Sequence, residues 1–188
     1  SVLQKQETCS YIFAGSQETV MNNIFVEKSG AFFRFGELVH LDVLSHEDVY
    51  LYLHESFPKV PVEVIGLCLE VLNGHPYYTG QVVEHLSYNQ NYGKTPEKFM
   101  QYIYDVLLDS ERAYLELQIL KIKEKTNALD VFRLVAMGLN PYVEINHIKQ
   151  PTISSSINWL ETGGFIRRKK IGEYKITDPL LEMYLQGK

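Results

Sequence analysis

The chain has 188 residues, 45% of them apolar and 22% charged, with a net charge of −5 at pH 7. Those shares suit a soluble globular protein of one or two domains and exclude a low-complexity or collagen-like chain. No apolar run is long enough to span a bilayer and no signal-peptide pattern is present, so a cytoplasmic protein without membrane contact is expected. Cys9 and Cys68 are too few for a disulfide framework and lack metal-ligand spacing. The charge is uneven. Residues 151–188 hold six Lys/Arg against four Asp/Glu, a balance of +2, and the other residues hold twelve against nineteen, a balance of −7. A nucleic-acid partner would therefore meet the C-terminal end.

Residues 1–10 read as a helix tail or a linker. The apolar run Tyr11 to Ala14 predicts a strand ended by Gly15-Ser16. Val20, Met21, Ile24 and Phe25 fall on one helical face, and Leu38 to Leu44 reads as a second strand. Strand, turn, helix and strand make a unit of a parallel sheet, which needs further strands and helices to cover it. Gly15 permits the turn, and Ser16 or Gln17 suits a helix cap. Arg34 lies between Phe33 and Phe35 and could stack on either ring or pair with Glu37.

Ser45 is a good N-cap, and Glu47 and Asp48 suit the positive end of the helix it opens. That helix carries Val49, Leu51, Tyr52, Leu53 and Phe57, and Pro58 and Pro61 break it. A second runs from Val62 to Leu72 and ends at Asn73-Gly74. Pro76 starts a third with Tyr77, Val82, Val83 and Leu86. Thr95-Pro96-Glu97 starts a fourth with Phe99, Tyr102, Ile103, Val106 and Leu107, and Asp109 to Lys125 continues helical. The last third has the pattern of a winged helix. Helices cover 128–137, 142–148 and 152–162, and a hairpin follows with Phe165 to Lys170 rising and Glu173 to Ile176 returning. Thr177-Asp178-Pro179 then caps a closing helix. Ile153, Ile157 and Leu160 face inward, and Ser155, Asn158 and Thr162 outward.

Four runs, IFAGSQETVMNNIF, FFRFGELVHLDVLSHEDVYLYL, NGHPYYTGQVVEHL and YKITDPLLEMYL, together resemble the prokaryotic AAA-type ATPases of the signal-transduction group, often called archaeal-type ATPases. The resemblance runs from the fourth core strand to the C-terminal winged helix. It implies a mainly α chain with a small α/β remnant: residues 1–44 as part of a P-loop ATPase core, 45–125 as a helical lid and 126–188 as a winged helix. It further implies that Ser16 senses the terminal phosphate and that Arg34 stabilises charge on the transferring phosphoryl group, a task suited to a guanidinium fork. Gly74 and Pro76 would form the turn that lays a proline against adenine. ATP or ADP with magnesium would be the cofactor of the parent protein. The alternatives stay open: a simple cap at Ser16, a stacked Arg34, and an ordinary helix corner at Gly74-His75-Pro76.

The sequence departs from the family in lacking G-x-x-x-x-G-K-[ST] and any apolar strand ending in paired acids. A fragment is expected, or a member without its front half, with the absent ATPase core as its first partner and no tight nucleotide binding or ATP turnover of its own. A second reading takes the winged helix as a DNA-binding or protein-interaction module. Ser155 and Asn158 would then face the duplex, and Arg167, Arg168, Lys169 and Lys170 would track phosphate. Against it, the outer face of that helix lacks an arginine or lysine to read guanine. The wing cations could equally guard an edge strand. A third is a scaffold that forms homo-oligomers through its uncovered partial sheet. The histidines show no zinc spacing, and no catalytic triad or carboxylate pair can be nominated.

Overall fold

Ser45 opens the helical body as its sequence predicts. Its hydroxyl oxygen accepts from the Asp48 amide at 3.0 Å and donates to the Asp48 carboxylate at 2.6 Å, which starts α1 (His46–Ser56). The computed structural model describes residues 8–15, 21, 24–39, 41–170 and 172–187. α1 buries Val49 and Leu53, while Leu51 and Tyr52 stay exposed. α2 (Val62–Leu72) buries Val64, Ile65, Cys68 and Leu72 and ends at Asn73 in the left-handed region. α3 (Pro76–Tyr88) buries Tyr78, Val82 and Leu86, residues four apart. Tyr77, expected inward, is instead 53% exposed, because the adjacent Tyr78 takes the inner stripe.

α4 (Pro96–Tyr102), capped by the Thr95 hydroxyl, does not stop where α5 (Leu108–Glu124) begins. A π turn, Ile103–Leu107, joins them into one rod. Phe99, Ile103, Leu107 and Leu115 are buried along it at steps of four and eight. In a plain α-helix the 16 residues from 99 to 115 would drift about 160° past whole turns; one extra residue taken up in a π turn cuts that to about 60°. The π turn thus keeps a stripe of period four against the core.

The segment expected as a winged helix follows: α6 (Ala128–Ala136), a single turn α7 (Pro141–Glu144), α8 (Gln150–Thr162), β1 (Ile166–Lys170), β2 (Glu173–Ile176) and α9 (Pro179–Gln186). The strands pair antiparallel, with Ile166 opposite Ile176, Arg168 opposite Tyr174, and a bulge between Arg168 and Lys170. Ile153, Ile157 and Leu160 are buried as expected, and Ser155, Asn158 and Thr162 are exposed. α9 packs against α2, α5 and α6. The buried apolar residues from Val49 to Leu181 form one continuous cluster.

The α/β remnant differs from its expectation. Neither the described residues of 11–14 nor those of 38–44 are strand, and the wing is the sheet formed among the described residues. A strand is held by its neighbours' ladder, and among the described residues none stands beside these runs. Ile12 is 97% exposed and Leu41 93%. Met21, Ile24 and Phe25 are helical; Val20 and the Ser16 turn lie outside the described residues. The amides of Phe32 and Arg34 return to the carbonyls of Ile24 and Phe25, at 3.1 Å each. This turn gathers Tyr11, Phe13, Phe25, Phe32 and Phe35 into an aromatic cluster. No described residue before Val49 is buried, so this cluster lies outside the main core.

Candidate functional site

The corner between α2 and α3 is built on Gly74. Its φ of +68° is one that side chains rarely adopt, and a Cβ there would strike the carbonyl oxygen of Leu44. The Leu44 amide donates to the Gly74 carbonyl at 2.8 Å. The corner and the end of the 38–44 run are therefore joined backbone to backbone. Pro76 then fixes the first residue of α3 and is exposed beside Tyr77.

Five side chains meet around this corner. The His75 ring stacks on Tyr78 with centroids 4.3 Å apart. The Tyr78 hydroxyl donates to both carboxylate oxygens of Asp178, at 3.0 and 3.2 Å. Asp178 Oδ1 also accepts from the amides of Leu180 and Leu181, at 3.0 and 3.1 Å, and so caps α9. The Tyr77 hydroxyl donates to Glu111 on α5 at 2.9 Å. Burial, with the nearby Asp178 charge second, pushes the Tyr78 hydroxyl far above the ordinary tyrosine value, so it stays a donor. Burial lowers the His75 imidazole, and Asp178 opposes that shift. His75 Nδ1 is buried without a hydrogen-bond partner.

Gly74 and Pro76 were legible as a corner. Tyr78 and Asp178 were missed as partners, since 100 residues separate them and Asp178 read only as a cap. Its Thr-Asp-Pro setting gave the cap and no sign of Tyr78.

Arg34 takes no part in the contacts just described. Its guanidinium sits over the Phe33 ring, 5.4 Å from the centroid, and its φ of 55° is left-handed. Stacking of this kind was one of the two alternatives that the sequence offered. Ser16 lies outside the described residues.

At the wing, Arg167 pairs with Asp42 at 3.3 Å and Arg168 with Glu161 at 2.8 Å. Arg168 also lies over Tyr174, 5.7 Å from its centroid. Lys170 pairs with Glu173 at 2.8 Å. Lys169 and Lys175 line an open recess of about 270 Å³ with Glu173 and Glu182. Desolvation raises Glu182, and the charges of Lys175 and Lys169 pull it back. Phosphate at this wing would compete with these carboxylates. Ser155 and Asn158 stand exposed on α8.

For the triphosphate and magnesium, the residues present do not fit. The sequence holds no phosphate loop, and no group of three or more His, Cys, Asp or Glu among the described residues could hold a metal ion. At the corner Pro76 and Tyr77 are exposed, while the unpartnered His75 Nδ1 is buried. Among the described residues no helix is long and apolar enough to cross a membrane.

No family model matches the chain, and no curated protein matches it. Among solved structures it is similar to a Walker-type ATPase, PABY2304 of Pyrococcus abyssi, with a TM-score of 0.67 and 16% identity. The match covers 92% of this chain and 51% of that one, so the chain spans about half the length of the protein it matches. At this identity the likeness is one of fold. A mainly helical chain with a small two-stranded sheet has the architecture of half of a Walker-type ATPase chain.

Proposed function

We propose that this chain is the lid and winged-helix portion of a Walker-type ATPase that acts as a nucleotide switch. The observation that carries the reading is the fold shared with such an ATPase over 92% of the chain. Residues 1–44 belong with the α/β core, 45–125 form the lid and 126–188 the winged helix. The phosphate loop and the magnesium-binding acid belong to an ATPase core outside these residues, which is the chain's principal partner. The corner at Gly74, His75 and Pro76 faces the adenine of bound ATP or ADP. Ser16 and Arg34 face its phosphates when the core is present. In the parent protein, hydrolysis sets the time for which lid and winged helix stay closed.

The alternative of a duplex-DNA-binding winged helix has less support, because Arg167, Arg168 and Lys170 already pair with carboxylates. Free wing cations would give binding with a steep salt dependence.

Titration of the chain with Mg-ATP, followed by the amide resonances of residues 74, 75, 77 and 78, tests the corner. Weak adenine-dependent shifts are expected, with a Kd on the order of 1 mM or about 4 kcal/mol. Inorganic triphosphate should leave those amides unmoved, and Pro76→Ala should reduce the ATP effect severalfold. Equal response to ATP and triphosphate would remove the adenine role. Robust magnesium-dependent turnover by this chain alone would contradict the assignment of the phosphate site to another part.

A further inference from the structure

The three hydroxyl–carboxylate bonds around α5 and α9 differ in what they join. Tyr77 to Glu111 ties the corner to the rod, and Tyr184 to Glu116, at 3.0 Å, ties α9 to the rod. Tyr78 to Asp178 alone among these three runs directly from the corner to α9. One carboxylate there holds the first amides of α9 and the hydroxyl whose ring stacks on His75. Tyr78 is buried and α9 packs on α2, α5 and α6, so neither end can shift without straining the shared carboxylate.

We propose that Asp178 is a positioning residue, a latch through which the state of the Gly74-His75-Pro76 corner is passed to the winged helix by way of Tyr78. A corner that moves draws the Tyr78 hydroxyl off Asp178, which loosens the start of α9 and its packing on the helical body. A corner held in place keeps α9 capped and docked. That a nucleotide is what moves the corner rests on the function proposed above; the latch itself does not.

Amide hydrogen exchange at residues 74, 75, 77–79 and 180–186 tests it in the wild type and in Tyr78→Phe, Asp178→Asn, Asp178→Ser and Tyr78→Phe/Asp178→Ser. Tyr78→Phe removes one hydroxyl and should speed exchange in both segments by about tenfold. Asp178→Ser keeps a capping oxygen but is too short and uncharged to hold Tyr78, so the corner should loosen equally. The double variant should add little to either single change, as expected for two halves of one contact. Asp178→Asn retains both acceptor and cap and should restore most of the protection. The latch is overturned if Tyr78→Phe loosens the corner while α9 exchanges as before, or if Asp178→Ser behaves as the wild type in both segments. Millimolar Mg-ATP, added to the wild type, should alter both segments together; a change at the corner alone also overturns the latch. If ATP alters neither segment while the variants behave as stated, the nucleotide reading fails and the latch stands.

Discussion

His75 shows what one side chain contributes where two elements meet. Its imidazole stacks on Tyr78 and is partly desolvated, which holds it below its ordinary value of about 6.5. The unfolded chain therefore takes up a proton at this residue at a pH where the folded chain has not. Its contribution to stability is complete above the unfolded value and is lost as pH falls through the folded one. The melting temperature of the wild type should drop between pH 7 and pH 5 by more than that of His75→Gln. Parallel curves for the two proteins would show that the residue has no such linkage. This residue also marks the limit of what sequence revealed. The Gly-His-Pro run announced a corner because backbone demands are local: a left-handed φ at Gly74 and a fixed φ at Pro76. The partner of Tyr78 was invisible because nothing near Asp178 in sequence distinguishes a capping acid from one that also receives a hydroxyl.

Most helices and the wing hairpin were legible, whereas the described residues of the strands expected at 11–14 and 38–44 are not strand, and the reason lies in where each finds its hydrogen bonds. α1, α4 and α9 begin at Ser45, Thr95 and Asp178, whose side chains accept from their own first-turn amides. The runs at 11–14 and 38–44 have strand composition, but a ladder needs a neighbour, and composition cannot supply one. The wing hairpin formed because its two strands lie three residues apart. The rod from Pro96 to Glu124 lies between these cases. Sequence read it as a helix that continues to Lys125, and the residue left over by its apolar steps of four is absorbed at Ile103–Leu107. Deleting Asp105, which is exposed within that turn, should convert it to plain α-helix at modest cost, about 1 kcal/mol by chemical denaturation. Deleting Arg112, exposed on α5, should cost several times more, since it rotates every buried residue beyond it by about 100°. Equal losses would mean that the π turn holds no spare residue.

At the scale of the molecule, the chain divides by burial. From Val49 to Leu181 one apolar cluster runs through the helical body and the C-terminal third, and before it no described residue is buried. Limited proteolysis should accordingly cut within residues 8–44 first and leave a fragment from about residue 45 that melts as cooperatively as the intact chain. Early cleavage between 125 and 128, or two separate melting steps in that fragment, would mean that residues 45–125 and 126–187 do not share a core.

The joint between the segment before Ser45 and the helical body has a property of its own. It is made by the main chains of Leu44 and Gly74, one donating and the other accepting, with no room for a β-carbon on the accepting side. A contact of that kind is blind to side-chain identity on one half and intolerant of any side chain on the other. Position 44 is thus free to drift among residues that carry an amide proton, proline excepted, while position 74 is confined to glycine. At this point the attachment of the aromatic segment to the helical body rests on one glycine, beside the exposed Arg167–Asp42 pair, and chemical variety can accumulate on the surface around it without loosening the joint.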